Sequence, residues 1–259
     1  MSKVESIFAK NKTEGRQTLV GYFPAGFPTV QESVDACVAM CENGIDVLEI
    51  GVPYSDPVMD GLVIQRATEL ALENGFKLPA VFEVLRQVSS RVTTPLLVMT
   101  YWNPVLQYGV RKFAEDLKAA GGAGLITPDL IVDEAQEWIK VSEELGLDRV
   151  FLATPTSTQE RTNALVEASR GFVYTVSTMG ITGAREDLDA KARSVVEKIR
   201  IADKSAYTAV GIGISTRSQV TEVNGYADGA IVGSLFVNAY RSGGIAALTE
   251  ATRQLSNEG

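Results

Sequence analysis

The sequence predicts an α/β protein folded as a (β/α)8 barrel, one domain over residues 1–259, with extra N-terminal and loop helices. Two observations predict it. Short β-branched runs alternate with longer amphipathic stretches along the whole chain, and that alternation implies a parallel sheet. The unit repeats eight times in 259 residues, about the length typical of a closed barrel. An open doubly wound sheet uses the same alternation; the count of eight favours closure.

In chain order, an amphipathic segment at 2–12 precedes the first strand and stands outside the repeat. Strand one is 18–23, Thr-Leu-Val-Gly-Tyr-Phe, and a helix at 30–42 follows. Strand two, 45–50, leads through a Gly/Pro/Ser/Asp loop to a helix at 62–74. A second extra helix, 78–91, comes before strand three at 95–100, which is followed by a helix at 109–120. Strand four, 123–127, precedes helix 133–145, and strand five, 149–153, precedes helix 157–169. Strand six, 171–176, precedes helix 187–201. Strand seven, 206–211, precedes helix 216–224, and strand eight, 228–232, precedes helix 244–256. The strand candidates are short β-branched or apolar runs, and the segments between them are amphipathic at helical spacing.

Bulk properties narrow the function. The net charge is −8 and no basic run or aromatic-basic cluster occurs, which argues against nucleic acid and anionic membrane as partners. No apolar stretch approaches the roughly 20 residues needed to span a bilayer. The first residues, Met-Ser-Lys-Val-Glu-Ser-Ile-Phe, lack the apolar core of a signal peptide, so a cytoplasmic protein is the expectation. Cys37 and Cys41, at i,i+4 on a predicted helix, read as small core side chains.

The chain contains no histidine. Proton transfer near neutral pH then falls most naturally to carboxylates with tuned pKa values. Residues 46–61, Asp-Val-Leu-Glu-Ile-Gly-Val-Pro-Tyr-Ser-Asp-Pro-Val-Met-Asp-Gly, offer two. Glu49 ends an apolar run that reads as a buried strand, where a carboxylate is costly unless used or paired. Asp60 lies in the loop that follows. In a barrel, chemistry collects at the C-terminal ends of the strands, where both residues stand. Plainer roles are open to each: an interior ion pair for Glu49, a turn or helix cap before Gly61 for Asp60. A carboxylate metal site of Glu49, Asp56 and Asp60 is conceivable but nothing in the spacing requires it, and no metal is expected. No lysine falls within a predicted strand, and Lys204 lies before strand seven, at the wrong end for a Schiff base. A C–C bond-breaking substrate would therefore have to supply its own electron sink, and an electron-rich aromatic ring could be that sink.

Glycines mark a second cluster. Gly180-Ile181-Thr182-Gly183 follows strand six, Gly211-Ile212-Gly213-Ile214-Ser215 follows strand seven, and Gly233-Ser234 follows strand eight. Glycine lets backbone N–H groups crowd around an anion, and barrels hold phosphate at this position. Gly213, Gly233 and Ser234 are the leading donors, with Gly183 reaching in; tight βα turns are the plainer explanation. The loop from Ser177 to Ala184 has the composition of a mobile lid, or of an ordinary connection.

These residues resemble one family. Leu48 to Gly61 is similar to the hallmark Leu-Glu-Ile/Leu-Gly-Xaa-Pro-Phe/Tyr-Ser-Asp-Pro-Xaa-Ala-Asp-Gly segment of the tryptophan synthase alpha subunit family. Ile64-Gln65, Tyr101 with Asn103-Pro104, Pro128-Asp129, Gly180 to Gly183, Gly211 to Ser215 and Gly233-Ser234 extend the resemblance over nearly the full length. It implies a TIM-barrel lyase that cleaves indole-3-glycerol phosphate to indole and glyceraldehyde 3-phosphate, with no cofactor of its own. It implies that Glu49 is the general acid/base and that Asp60 accepts the indole N–H. It further implies substrate contacts at Tyr22, Tyr101, Tyr174, Thr182, Gly183, Ile212, Gly213, Gly233 and Ser234. The implied partner is a pyridoxal-phosphate beta subunit, in an alpha2beta2 heterotetramer, that receives the indole through a tunnel. Met59 stands where alanine is usual and Ile212 where many members have phenylalanine. Ile131-Val132 follows Asp129-Leu130 where proline is usual, and Gly26-Phe27-Pro28 replaces the commoner Gly-Asp-Pro. Neither carboxylate is touched.

Other functions remain compatible with the residues. Another phosphate-sugar barrel enzyme, an epimerase or isomerase, would release no indole. A catalytically weak subunit that activates a partner would not need both carboxylates. A stand-alone indole-3-glycerol phosphate lyase would be fully active without a partner.

Overall fold

The computed structural model describes residues 1–176, 185–211 and 213–256, the side chains of 185–188 excepted. Eight parallel strands close into a barrel in sequential order: β1 Thr18–Pro24, β2 Val47–Gly51, β3 Leu96–Met99, β4 Gly124–Thr127, β5 Asp148–Ala153, β6 Val173–Val176, β7 Thr208–Gly211 and β8 Gly229–Val232. β8 pairs with β1, Val20 beside Ile231, so the sheet has no free edge. The helices outside it are α1 Lys3–Thr13, α2 Val30–Glu42, α3 Leu62–Glu73, α4 Ala80–Ser89, α5 Trp102–Tyr108 and α6 Val110–Ala119. They continue with α7 Gln136–Leu145, α8 Gln159–Ala168, α9 Arg185–Ala202, α10 Arg217–Asn224 and α11 Ser234–Leu255.

All eight expected strands form, and two helical stretches were not legible. α5 contains Pro104, which reads in sequence as a breaker. It sits in the first turn, where no intrahelical N–H is required, and Gly109 (φ +94°) then separates α5 from α6. α11 starts at Ser234, ten residues before the expected helix. The Gly243-Gly244 pair kinks this helix instead of beginning it, and Phe236, Val237 and Tyr240 of its first half are buried.

The strand alternation sorts side chains into two cores. One residue from each strand, or for β6 the residue just before it, points inward: Val20, Val47, Leu97, Ile126, Val150, Phe172, Ala209 and Ile231. Val4 and Phe8 of α1 pack onto this layer from the N-terminal end, with Phe8 centred 5.4 Å from Phe172. α1 is set there by a capping box between Ser2 and Glu5. The opposite faces, including Leu19, Phe23, Leu48, Ile50, Val98 and Phe151, pack under the helices. Cys37 is buried, Cys41 half-buried, and both are free thiols. Among the described residues no helix is long and apolar enough to cross a membrane.

With a period of two, the next inward position on each strand lies one layer nearer the C-terminal mouth. That layer contains Tyr22, Glu49, Met99, Leu152, Tyr174, Gly211 and Gly233, and Tyr22 is the register partner of Glu49. The mouth thus rests on a packed apolar floor.

Candidate active site

Glu49 is 1% exposed, and neither carboxyl oxygen has a hydrogen-bond partner among the described residues. Burial alone pushes its pKa from 4.5 up to about 8. Among the described residues no Lys or Arg side chain pairs with it, so the interior ion pair is not what the fold builds. An unpaired carboxyl held in an apolar strand mouth is a proton donor and acceptor near neutral pH.

Asp60 stands above the same mouth, half-buried, its pKa raised by burial from 3.8 to about 6. It does not cap α3, whose N-cap is Gly61 with no side-chain bond. The loop that carries Asp60 is tightly held. Asp60 N–H donates to Pro57 O (3.1 Å), Val58 N–H to Asp56 O (2.9 Å), and Met59 N–H to the Tyr101 hydroxyl (2.8 Å). From the helix side, the Gln65 amide donates to Asp60 O (2.8 Å) and reaches Pro57 O (3.4 Å). Glu49, Asp56 and Asp60 do not assemble a metal site; among the described residues no three His, Cys, Asp or Glu side chains could hold an ion.

Three tyrosines share the mouth. Tyr22 and Tyr174 have hydroxyls pushed well above their ordinary pKa, first by burial and then by the charges of Asp60 and Glu49. Tyr101 is raised by burial and by Asp60, and its ring stacks on Tyr54 at 5.1 Å. The adjoining Trp102 N–H is held by Asp129 (2.9 Å). All three hydroxyls therefore stay neutral, with Tyr22 and Tyr174 in electrostatic reach of both carboxylates and Tyr101 of Asp60. Missing side chains make room for them. A Cβ at Gly51 would overlap the Tyr22 hydroxyl, and one at Gly211 would stand 2.8 Å from the Tyr174 hydroxyl.

The glycine end divides into two kinds. Gly213 has φ +66° and open space where a side chain would project, as a backbone approached by a ligand requires. Gly233 has φ −126°, and a Cβ there would lie 3.3 Å from the Tyr22 ring, so its small size serves the aromatic wall. The two nearby helix N-termini also differ. α10 is closed by its own capping box, and Gln219 accepts from the N–H groups of Ser215 (2.7 Å) and Thr216 (3.2 Å). α11 has no side-chain cap, which leaves the amides from Ser234 onward oriented for an anion. Thr182, Gly183 and Ile212, with the whole 177–184 loop, lie outside the described residues.

The structure thus gathers Tyr22, Glu49, Asp60, Tyr101, Tyr174, Gly213, Gly233 and Ser234 at one end of the barrel. Gln65 and Asp129, which the sequence offered only as parts of a resemblance, prove to be the groups that fix the surrounding backbone.

A family model described as "Tryptophan synthase alpha chain" matches residues 8–258. The chain is 57% identical over 256 residues to the tryptophan synthase alpha chain of Leifsonia xyli subsp. xyli, covering 99% of this chain and 98% of the relative. It is 50% identical to that of Mycolicibacterium paratuberculosis, covering 98% and 93%. Among solved structures it superposes on tryptophan synthase from M. tuberculosis in an aminoacrylate-bound form, with TM-score 0.91, 45% identity and 98% of both chains covered. It also matches tryptophan synthase subunit alpha from Legionella pneumophila, with TM-score 0.89, 30% identity and coverage of 98% and 97%.

Proposed function

The chain belongs to the tryptophan synthase alpha chain family, and from that premise we infer how its barrel mouth carries out the lyase reaction. The reaction is the retro-aldol cleavage of indole-3-glycerol phosphate to indole and glyceraldehyde 3-phosphate. The observation that carries the assignment of roles is the buried Glu49 carboxyl, unpartnered among the described residues, in a barrel mouth shared with Asp60 and three neutral tyrosines.

Each group has one task. Near neutral pH Glu49 starts protonated and delivers that proton to indole C3. The ring becomes an indolenine, with positive charge developing at its nitrogen. Asp60, which ionises near pH 6, accepts the N–H and stabilises that charge. The Glu49 carboxylate then takes the proton of the neighbouring glycerol hydroxyl. The electron pair of that O–H bond forms the aldehyde carbonyl. The C–C pair returns to the ring, which leaves as neutral indole, and Glu49 is protonated again. No external reductant or oxidant is needed, since the indolenine is the electron sink. Tyr22 and Tyr174 supply apolar walls, and Tyr101 holds the Asp60 loop. Gly213 and the uncapped start of α11 cradle the phosphate.

The indole passes to a pyridoxal-phosphate beta subunit, in an alpha2beta2 assembly. In support, the rim of the mouth carries apolar side chains that water does not favour: Val58 (74% exposed), Leu106 (52%) and Ile131 (46%), after β2, β3 and β4. A cavity of about 420 Å³ opens between the segments after β2 and β3, lined by Val52, Pro53, Tyr54 and Pro104. Met59 and Ile131 place the chain's departures from the common pattern on this same rim.

The test is indole release from indole-3-glycerol phosphate by the purified chain, with and without a beta subunit. Slow release that rises on adding the partner is expected. No indole under either condition would remove the assigned roles, and full activity unaffected by the partner would mark a stand-alone lyase.

A further inference from the structure

No side chain among the described residues is hydrogen-bonded to the Asp60 carboxylate, and the backbone of its loop aims it. Two groups grip that loop from opposite sides. On the barrel side, the Tyr101 hydroxyl accepts from Met59 N–H at 2.8 Å. On the helix side, Gln65 Nε2 donates to Asp60 O at 2.8 Å and reaches Pro57 O at 3.4 Å. Pro57 O also accepts Asp60 N–H at 3.1 Å, so both ends of the turn meet at one amide. Gln65 is itself anchored, because its N–H donates to Gly61 O (2.9 Å) in the first bond of α3. Side chains on a helix lean toward its N-terminus, so a residue at this position can bend back over the entering loop. A glutamine has both the reach and the two N–H donors that two carbonyl oxygens call for.

We propose that Gln65 is a positioning residue for the cleavage reaction: its amide ties the Pro57 and Asp60 carbonyls to α3 and so aims the Asp60 carboxylate at the indole nitrogen. This rests on the assignment of Asp60 as the group that accepts the indole N–H. A purely structural role would be to close the start of α3, which Gly61 leaves without a side-chain cap. The two roles differ in what else depends on them. Aiming acts only through Asp60, whereas closing a helix acts through stability whether or not Asp60 is present.

The experiment uses the chain in complex with its beta subunit and follows steady-state indole release over a range of substrate concentrations. Gln65→Met removes both donors and keeps length and helix preference. It should lower kcat about 10–100-fold, as expected for misplacing a reacting group by an ångström or so, with KM changed less than about threefold. Gln65→Lys returns N–H donors at similar reach and should recover most of the lost turnover. In an Asp60→Asn background, Gln65→Met should cost nothing further, because coupled residues are non-additive. A full additional loss in that background, unchanged kcat in Gln65→Met, or no recovery by Gln65→Lys would overturn the positioning role while leaving Asp60 in place. Full turnover by Asp60→Asn alone would instead remove the Asp60 assignment, and the role of Gln65 with it.

Discussion

Replacing Glu49 by Gln should abolish turnover and stabilise the protein at neutral and alkaline pH. The carboxyl is buried without a partner, and its pKa stands at about 8 against an ordinary value of 4.5. Below pH 4.5 it is protonated in both folded and unfolded chains, and stability does not depend on it. Between 4.5 and about 8 the unfolded chain releases the proton and the folded chain keeps it. Stability therefore falls as pH rises through this window and levels off above it. At about 1.4 kcal/mol per pH unit, the penalty is roughly 3 kcal/mol at pH 7 and roughly 5 kcal/mol above pH 8. Glu49→Gln is neutral throughout and escapes it. Asp60 has a raised pKa too, but it is common to both proteins and cancels in the difference. The assay is urea unfolding of both proteins at pH 5, 7 and 9, taking the pH 5 difference as the baseline for the change of side chain. Relative to that pH 5 baseline the variant should gain about 2.5 kcal/mol at pH 7 and about 4 kcal/mol at pH 9, while its kcat falls at least about 10²–10⁴-fold. A stability difference that stays flat from pH 5 to 9 would refute the claim that Glu49 is an unpaired buried acid. Native turnover would refute its role in proton transfer.

Other consequences follow from the same geometry. Because Glu49 must begin protonated and Asp60 ionised, kcat should be bell-shaped, with limbs near about 6 and about 8; a flat profile from pH 5 to 9 would oppose the pair. Asp60→Asn should lower kcat by about 10²–10³-fold, the range lost when one preorganised group facing transition-state charge is removed. Stimulation by the beta subunit should shrink with it, and a titration giving equal fold-stimulation would show that coupling bypasses Asp60. Gly213→Val would add backbone strain at φ +66°, so Gly213→Asn, which tolerates that region, is the cleaner variant. Losing a charge-assisted contact there should raise KM about 10–100-fold, and an unchanged KM would move the phosphate elsewhere.

What the sequence determined by itself was local. Short β-branched or apolar runs alternating with amphipathic stretches were enough for eight strands, for their order, and for placing Glu49 and Asp60 at the C-terminal end of the second. The Leu48–Gly61 segment carried the family as well. Even the gaps in the reading were local ambiguities: Pro104 and Gly243-Gly244 have the same letters whether they stop a helix, start it or kink it. Tertiary structure decided every question about partners. Whether Glu49 is ion-paired depends on what β1 and β3 set beside it, and the β1–β2 pairing set Tyr22 there, with no cation among the described residues. From sequence Gly233 reads as an amide donor, because glycines suit anions. Its fit against the Tyr22 ring exists only because β8 returns to β1. Gln65 was one more polar residue on a helix until the loop folded back onto its amide. The physical reason is the range of the forces involved. Backbone preference and hydrophobic period act over a few residues and are written in neighbouring letters. The cost of burying a charge, and the hydrogen bonds that offset it, depend on distances across the barrel, which exist only once its eighth strand has met its first.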